Sequence, residues 1–280
     1  MIRIDRVAEP LALKRAAKRR LAEASLAFHQ GQSVKSMLEG YGPPSVREAL
    51  YKQQRGRCAY CERPVGMAAN PIEHFRPKTY AQRAGHPKDY ERYWWLTWDW
   101  NNLFLSCASC NSPGIKGNRF DLVAGTSPAL APVPNLASSS VITPATHPVS
   151  TERSLFIDPG AEYPHRHFSW YPVDDKVAPT NWSWNVVGRT TRGTYCIDHF
   201  NLTEAAEQVQ GEWRALAERL ISSGAFRGSV VTPHDWTTLC AEALRPEYSF
   251  RGARYGMLLW CLANVSSLHG LAPPSPPTTP

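Results

Sequence analysis

The chain has 280 residues, 42% of them hydrophobic and ten of them tryptophan, with a formal net charge of +7. That is enough apolar material for one large domain or two modest ones, which excludes a chain too polar to fold. The positive balance favours polyanionic partners without naming one, since an ordinary basic surface has the same sign. No segment approaches the roughly twenty uncharged apolar residues of a membrane span, and residues 1–20 lack the apolar run of a signal peptide, so a cytoplasmic protein with no membrane partner is expected.

Residues 1–57 read as a basic N-terminal helical region. Leu11, Leu13, Ala17, Leu21 and Ala24 recur at helical spacing over 10–29, with Lys14, Arg15, Lys18, Arg19 and Arg20 between them. Pro43-Pro44 then stops the chain, and Ser45 is expected to cap a second helix with Glu48 three residues on and Val46, Ala49 and Leu50 buried.

Residues 58–121 form a second region, bracketed by two Cys-x-x-Cys pairs. Cys58/Cys61 and Cys107/Cys110 are separated by 45 residues. Four thiolates in two such pairs supply the closed tetrahedral shell of a structural Zn²⁺. The competing reading, a redox dithiol, needs only one pair and a βαβ scaffold that nothing here resembles. Between the pairs, Pro71 precedes a short strand pattern at Ile72, His74 and Phe75, which Pro77 ends. Trp94, Trp95, Trp98 and Trp100 lead into a second strand at Leu103-Phe104-Leu105, and read as a small core under an irregular loop rather than as base-stacking groups.

From Leu122 to Thr151 there is no charged residue, and five prolines interrupt a Ser/Ala/Thr background, so 122–152 is expected to be a linker or surface insertion. Residues 153–270 read as a C-terminal α+β region. Phe168 and Trp170 alternate towards an Asp174-Asp175 turn, and Trp182, Trp184 and Val186 return from it as a hairpin. Helical stripes follow at Ala206, Val209, Trp213, Leu216 and Leu220, and at Trp236, Leu239, Cys240 and Ala243 behind a Thr232-Pro233 cap, with a third helix over 250–265. Cys196, Cys240 and Cys261 read as reduced core thiols, and 271–280 as a disordered Pro-rich tail.

Chemistry concentrates between the cysteine pairs. Glu73 and His74 are neighbours whose side chains diverge on a strand, so one can hold a cation while the other faces a different atom of the same substrate. A phosphodiester hydrolase needs such a pair, a base for water and a divalent ion for the charge on phosphate. Arg76, Lys78 and Lys116 are candidate phosphate holders. His165 and His167 have metal-pair spacing but no cysteine nearby, and His86 reads as a surface residue.

The run Cys58 to Asn111, with Glu73-His-Phe-Arg-Pro-Lys78 and Trp100-Asn-Asn-Leu-Phe-Leu-Ser-Cys107, resembles an HNH nuclease, the ββα-metal finger. In that family a first strand carries an acid-His pair, a second strand follows an Asn-Leu, and a helix begins near the second cysteine pair. Met1-Ile-Arg-Ile-Asp-Arg6, Tyr93-Trp-Trp-Leu96, Lys116-Gly-Asn-Arg-Phe120 and Leu155-Phe-Ile-Asp-Pro159 are similar to the HNH proteins of retron and Septu anti-phage systems. The resemblance implies His74 as general base, Glu73 and Asn111 as ligands of a catalytic Mg²⁺ or Mn²⁺, Asn102 as a group positioning loop and histidine, and zinc on the four cysteines. It also implies an AAA-type ATPase partner. Asn111 stands where the family commonly has His, and Pro113 and Gly114, in a longer step to Lys116, are expected to delay the helix.

The sequence therefore predicts an α+β endonuclease hydrolysing nucleic-acid phosphodiesters, with double-stranded DNA as the expected substrate. The competing readings are a catalytically decayed zinc-binding subunit that binds nucleic acid or protein, and an RNA or tRNA nuclease on the same scaffold.

Overall fold

The structure, a computed structural model, describes residues 1–203 and 208–279. It is mixed α+β: among the described residues there are six α-helices and three two-stranded antiparallel sheets. The chain divides into two units, one formed by Arg6–Cys58 and Val65–Phe156, the other by Met1–Asp5, Ala59–Pro64 and Ile157–Pro280.

In the first unit, α1 (Leu11–His29) and α2 (Pro44–Gln53) precede β1 (Ile72–His74), β2 (Tyr80–Ala81), β3 (Asp89–Tyr90) and β4 (Leu103–Leu105). Helix α1 buries Leu13, Ala24, Ala27 and Phe28. Leu11, assigned to that stripe from the sequence, is 68% exposed because it opens the helix before the face reaches the core. The start of α2 is also corrected: Pro44 occupies the first helical turn behind Pro43 and no side chain caps it. Proline at that position has a φ already suited to the helix and no N–H to satisfy, so Ser45 is not needed.

Strands β1 and β4 pair with Ile72 opposite Leu105, Glu73 opposite Phe104 and His74 opposite Leu103. The other edge of β4 is closed by side chains. The Gln54 amide donates to the Leu105 carbonyl at 2.8 Å and accepts its N–H at 2.7 Å, while Arg6 donates to the Leu103 carbonyl at 2.7 Å. A strand edge satisfied in this way can stay buried in a sheet of only two strands. Trp94, Trp95, Trp98 and Trp100 are all buried beside it, as a core and not a stacking platform. The polar stretch 79–93 holds the β2–β3 ladder, which no alternation announced.

In the second unit, β5 (Phe168–Pro172) and β6 (Trp184–Gly188) form the expected hairpin. Helices α3 (Thr191–Phe200), α4 (Gln210–Ser222), α5 (Pro233–Ala243) and α6 (Arg251–Asn264) follow. Its core is aromatic: Trp182 stacks on Trp213 at 5.7 Å and Trp184 meets Trp213 edge-on at 4.6 Å. Val209, Trp213, Leu216 and Leu220 point inward as read, whereas Ala206 lies outside the described residues. Thr232 accepts the Asp235 N–H at 3.1 Å, the cap its Thr-Pro step predicts. Cys196, Cys240 and Cys261 are buried, and burial pushes the Cys196 and Cys240 thiols up to about 12, as inert core groups. The tail expected to be disordered is instead tied down as far as Thr279. Thr278 bridges to Arg3, and the Thr279 N–H donates to the Arg3 carbonyl at 2.9 Å.

Candidate functional site

The sulfurs of Cys58, Cys61, Cys107 and Cys110 lie within 4.8 Å of one another, and all but Cys107 are buried. A tetrahedral Zn–S shell at about 2.3 Å places sulfurs roughly 3.8 Å apart, so the donor set and its spacing fit a structural zinc ion. Backbone geometry shapes the second pair: the Cys110 N–H points at Cys107 Sγ at 3.4 Å and the Asn111 N–H donates to the Cys107 carbonyl at 3.1 Å. From there the chain continues in turns rather than in a helix, which corrects the expectation that one begins near the second pair. Pro113 lacks an N–H and Gly114 costs more to order than other residues, so this step favours turns.

Those turns return Lys116 to the sheet, its N–H donating to the Cys110 carbonyl at 3.2 Å. Lys116 is a correction. Read as a phosphate holder, it is fully buried, with Nζ 3.1 Å from Glu73 Oε1 and 3.4 Å from the His74 carbonyl. The rings of Phe75, Phe120 and Phe156 surround the ammonium at 6.0, 5.8 and 5.6 Å. Burial raises the Glu73 pKa and lowers that of Lys116, and each charge opposes the other's shift.

His74, the next residue on β1, turns its ring elsewhere. Its Nε2 lies 3.0 Å from the Thr97 carbonyl. A carbonyl only accepts, so Nε2 carries the proton and Nδ1 keeps a free lone pair. Burial holds the imidazole neutral, with its pKa pulled down to about 3 against a raising contribution from the Thr97 bond. Tyr41, a residue the sequence did not single out, meets this ring edge-on at 4.5 Å.

Asn102 braces the loop after β1. Its Oδ1 accepts the Arg76 N–H at 2.7 Å, and its Nδ2 donates to the carbonyls of Arg76 at 3.0 Å and Leu96 at 3.2 Å. The Arg76 side chain is committed to Glu152 at 2.8 Å, an acid whose side chain is wholly buried and which also accepts from the Tyr93 hydroxyl and the Ala129 N–H. Lys78 is half-buried and donates to the Leu38 carbonyl at 2.6 Å. Asn111 stays in the cysteine turn, partly exposed. The fold thus joins Glu73 to Lys116 and Asn102 to Arg76. Outside the cysteines, no further group of three or more acidic, His or Cys ligands gathers among the described residues. Of the remaining histidines, His86 is exposed, and His165 packs edge-on against Tyr255 at 5.3 Å.

The chain is similar to Septu protein PtuB of Bacillus mycoides (strain KBAB4), at 34% identity over 138 residues, covering 47% of this chain and 46% of that protein. It therefore spans about half the length of the curated relative it matches. No family model matches it, and no solved structure does. No helix among the described residues is long and apolar enough to cross a membrane.

Proposed function

We propose that this chain is an HNH-type endonuclease acting on nucleic-acid phosphodiesters, with double-stranded DNA as the substrate and an anti-phage effector role beside an AAA-type ATPase. The observation that carries the reading is the His74 imidazole, held neutral with one nitrogen committed to Thr97, next to a buried carboxylate on the same strand. In the reaction, Nδ1 takes a proton from water, the oxygen attacks phosphorus, and the bond to the 3′ oxygen breaks; that oxygen takes a proton from solvent and His74 releases its own, leaving 3′-hydroxyl and 5′-phosphate ends. The low basicity of His74 weakens its pull on the proton but keeps it unprotonated at any working pH. Mg²⁺ or Mn²⁺ held by Glu73 and Asn111 would neutralise charge on the phosphate and the leaving oxygen, and would share the Glu73 carboxylate with Lys116. Asn102 keeps the chain after His74 in place. Similarity to a Septu protein supports the defence role.

Cleavage of supercoiled plasmid by purified protein with Mg²⁺ or Mn²⁺, abolished by EDTA, is the expected result. His74→Ala should lower it by roughly 10²–10⁴-fold with fold and zinc intact. Equal rates for wild type and His74→Ala would overturn the assignment. A second reading, a decayed zinc-binding module, is favoured by the Lys116 ammonium already lying on Glu73. It predicts nucleic-acid or protein binding without cleavage. Cleavage of RNA but not DNA would point to the RNA nuclease.

A further inference from the structure

Between α1 and α2 the chain runs Leu38-Glu-Gly-Tyr-Gly-Pro43, and two side chains that follow β1 hold its backbone. Lys78 Nζ donates to the Leu38 carbonyl at 2.6 Å and Trp98 Nε1 to the Glu39 carbonyl at 2.7 Å. Gly40 sits at φ +72°, where a Cβ would stand 2.6 Å from Arg20 Nε, and a Cβ on Gly42 would stand 2.9 Å from Ile72 Cδ1 in β1. At Gly40 the positive φ itself disfavours a side chain, and at Gly42 a Cβ would press on the tip of the Ile72 side chain. The two glycines flank Tyr41: Gly40 lets the chain turn through a left-handed conformation beside Arg20, and Gly42 lets the backbone approach Ile72 on the strand that carries His74.

Tyr41 delivers its ring edge-on to the His74 ring, with centroids 4.5 Å apart and planes at 74°. The opposite hold on the imidazole is the Thr97 carbonyl at 3.0 Å from Nε2. A single hydrogen bond fixes one direction of a planar ring and leaves it free to turn about that bond, and an edge-to-face neighbour removes that freedom. Lys78 fixes the neighbour in turn, its ammonium 4.3 Å above the Tyr41 ring while bonded to Leu38.

We propose that Tyr41, held by Lys78 and by the two flanking glycines, is a positioning residue that sets the plane of the His74 imidazole and so aims Nδ1. The inference deepens the nuclease reading and rests on His74 being the base. It assigns the work to the Tyr41 ring and not to its hydroxyl, and it gives Lys78 a task that does not require contact with phosphate.

The test compares Tyr41→Phe, Tyr41→Leu and Gly42→Ala in the full chain, by plasmid cleavage with Mg²⁺ and by NMR of the His74 ring protons. Tyr41→Phe keeps the ring and should keep kcat and the His74 resonances close to wild type. Tyr41→Leu should lower kcat by about 10- to 100-fold with KM unchanged, and move the His74 resonances as the ring-current contribution is lost. Gly42→Ala, whose Cβ would stand 2.9 Å from Ile72 Cδ1, should give a weaker form of the same pattern with the tyrosine still present, because the tip of Ile72 can yield part of the way. Unshifted His74 resonances in Tyr41→Leu would overturn the proposal, as would a Tyr41→Phe that falls as far as Tyr41→Leu. A wild type that cuts nothing would sink the nuclease reading alone, because NOEs from the His74 ring protons to Thr97, retained in Tyr41→Phe and weakened in Tyr41→Leu, still decide whether Tyr41 orients the ring.

Discussion

Lys116 Nζ stands 3.1 Å from Glu73 Oε1, and the two side chains are 0% and 6% exposed. A pair this deeply desolvated is close to neutral in net stability while intact, but removing one partner strands the other as a buried, uncompensated charge. Lys116→Met should therefore destabilise the protein by about 3–5 kcal/mol, read from urea denaturation, and the double change Glu73→Gln, Lys116→Met should recover a large part of that loss. A loss no greater than that of an exposed lysine such as Lys52 would show that the pair does not form. If Glu73 also takes a divalent ion, Mg²⁺ should raise the melting temperature of Lys116→Met more than that of wild type.

Zinc on the four cysteines carries its own prediction. Wild-type protein should contain one zinc ion per chain by elemental analysis. Cys58→Ser or Cys107→Ser should lose it and open the 58–121 region to proteolysis, because metal binding is coupled to folding in such a site. A folded, metal-free wild type with four titratable thiols at these positions would contradict the assignment.

Asn102 satisfies three backbone groups, one as acceptor and two as donor. Asn102→Ala leaves them unpaired in a buried setting, at about 1–3 kcal/mol each before water or relaxation intervenes. Asn102→Asp should be at least as damaging above pH 5, since its oxygens would face the Arg76 and Leu96 carbonyls where donors are required. Thermal denaturation of the two variants beside wild type checks the order.

Glu152 closes the uncharged stretch that begins at Leu122, and its carboxylate is buried against Arg76 and Tyr93. Arg76→Met removes a charge-assisted hydrogen bond, about 1.5–3 kcal/mol, at the point where that stretch is fastened. Limited proteolysis between residues 122 and 151 should then accelerate by about tenfold or more. Unchanged digestion would mean that the stretch is held elsewhere.

The buried neutral His74 sets a pH dependence. Its folded pKa lies near 3, below the ordinary 6.5, so the unfolded chain binds the extra proton between these values. Its contribution is fully present above about pH 6.5 and is lost as pH falls towards 3, at about 1.4 kcal/mol per pH unit for one proton. Urea midpoints at pH 7.5 and 5.0 should therefore differ more in wild type than in His74→Gln, which has nothing to protonate there.

Some of this was legible in the sequence because it is local. The spacing within each Cys-x-x-Cys pair is a property of a few consecutive residues, and so are the hairpin alternation around Trp170 and Trp184 and the Thr232-Pro233 cap. Each reports backbone geometry directly. The side-chain partners were not legible, because each depends on what the folded chain brings alongside. Lys116 reads as a surface cation until the turns at Pro113 and Gly114 return it to a carboxylate 43 positions earlier. Arg76 reads as a phosphate holder until Glu152, 76 residues on, claims it inside the fold. Tyr41 had a sequence signal in its two flanking glycines, but only the closeness of Gly42 to Ile72 gives that signal a meaning. The sequence determined which chemical groups are present and the local backbone that carries them. Tertiary structure decided which charges are neutralised and which ring holds His74, because water is removed around those groups only when distant segments meet.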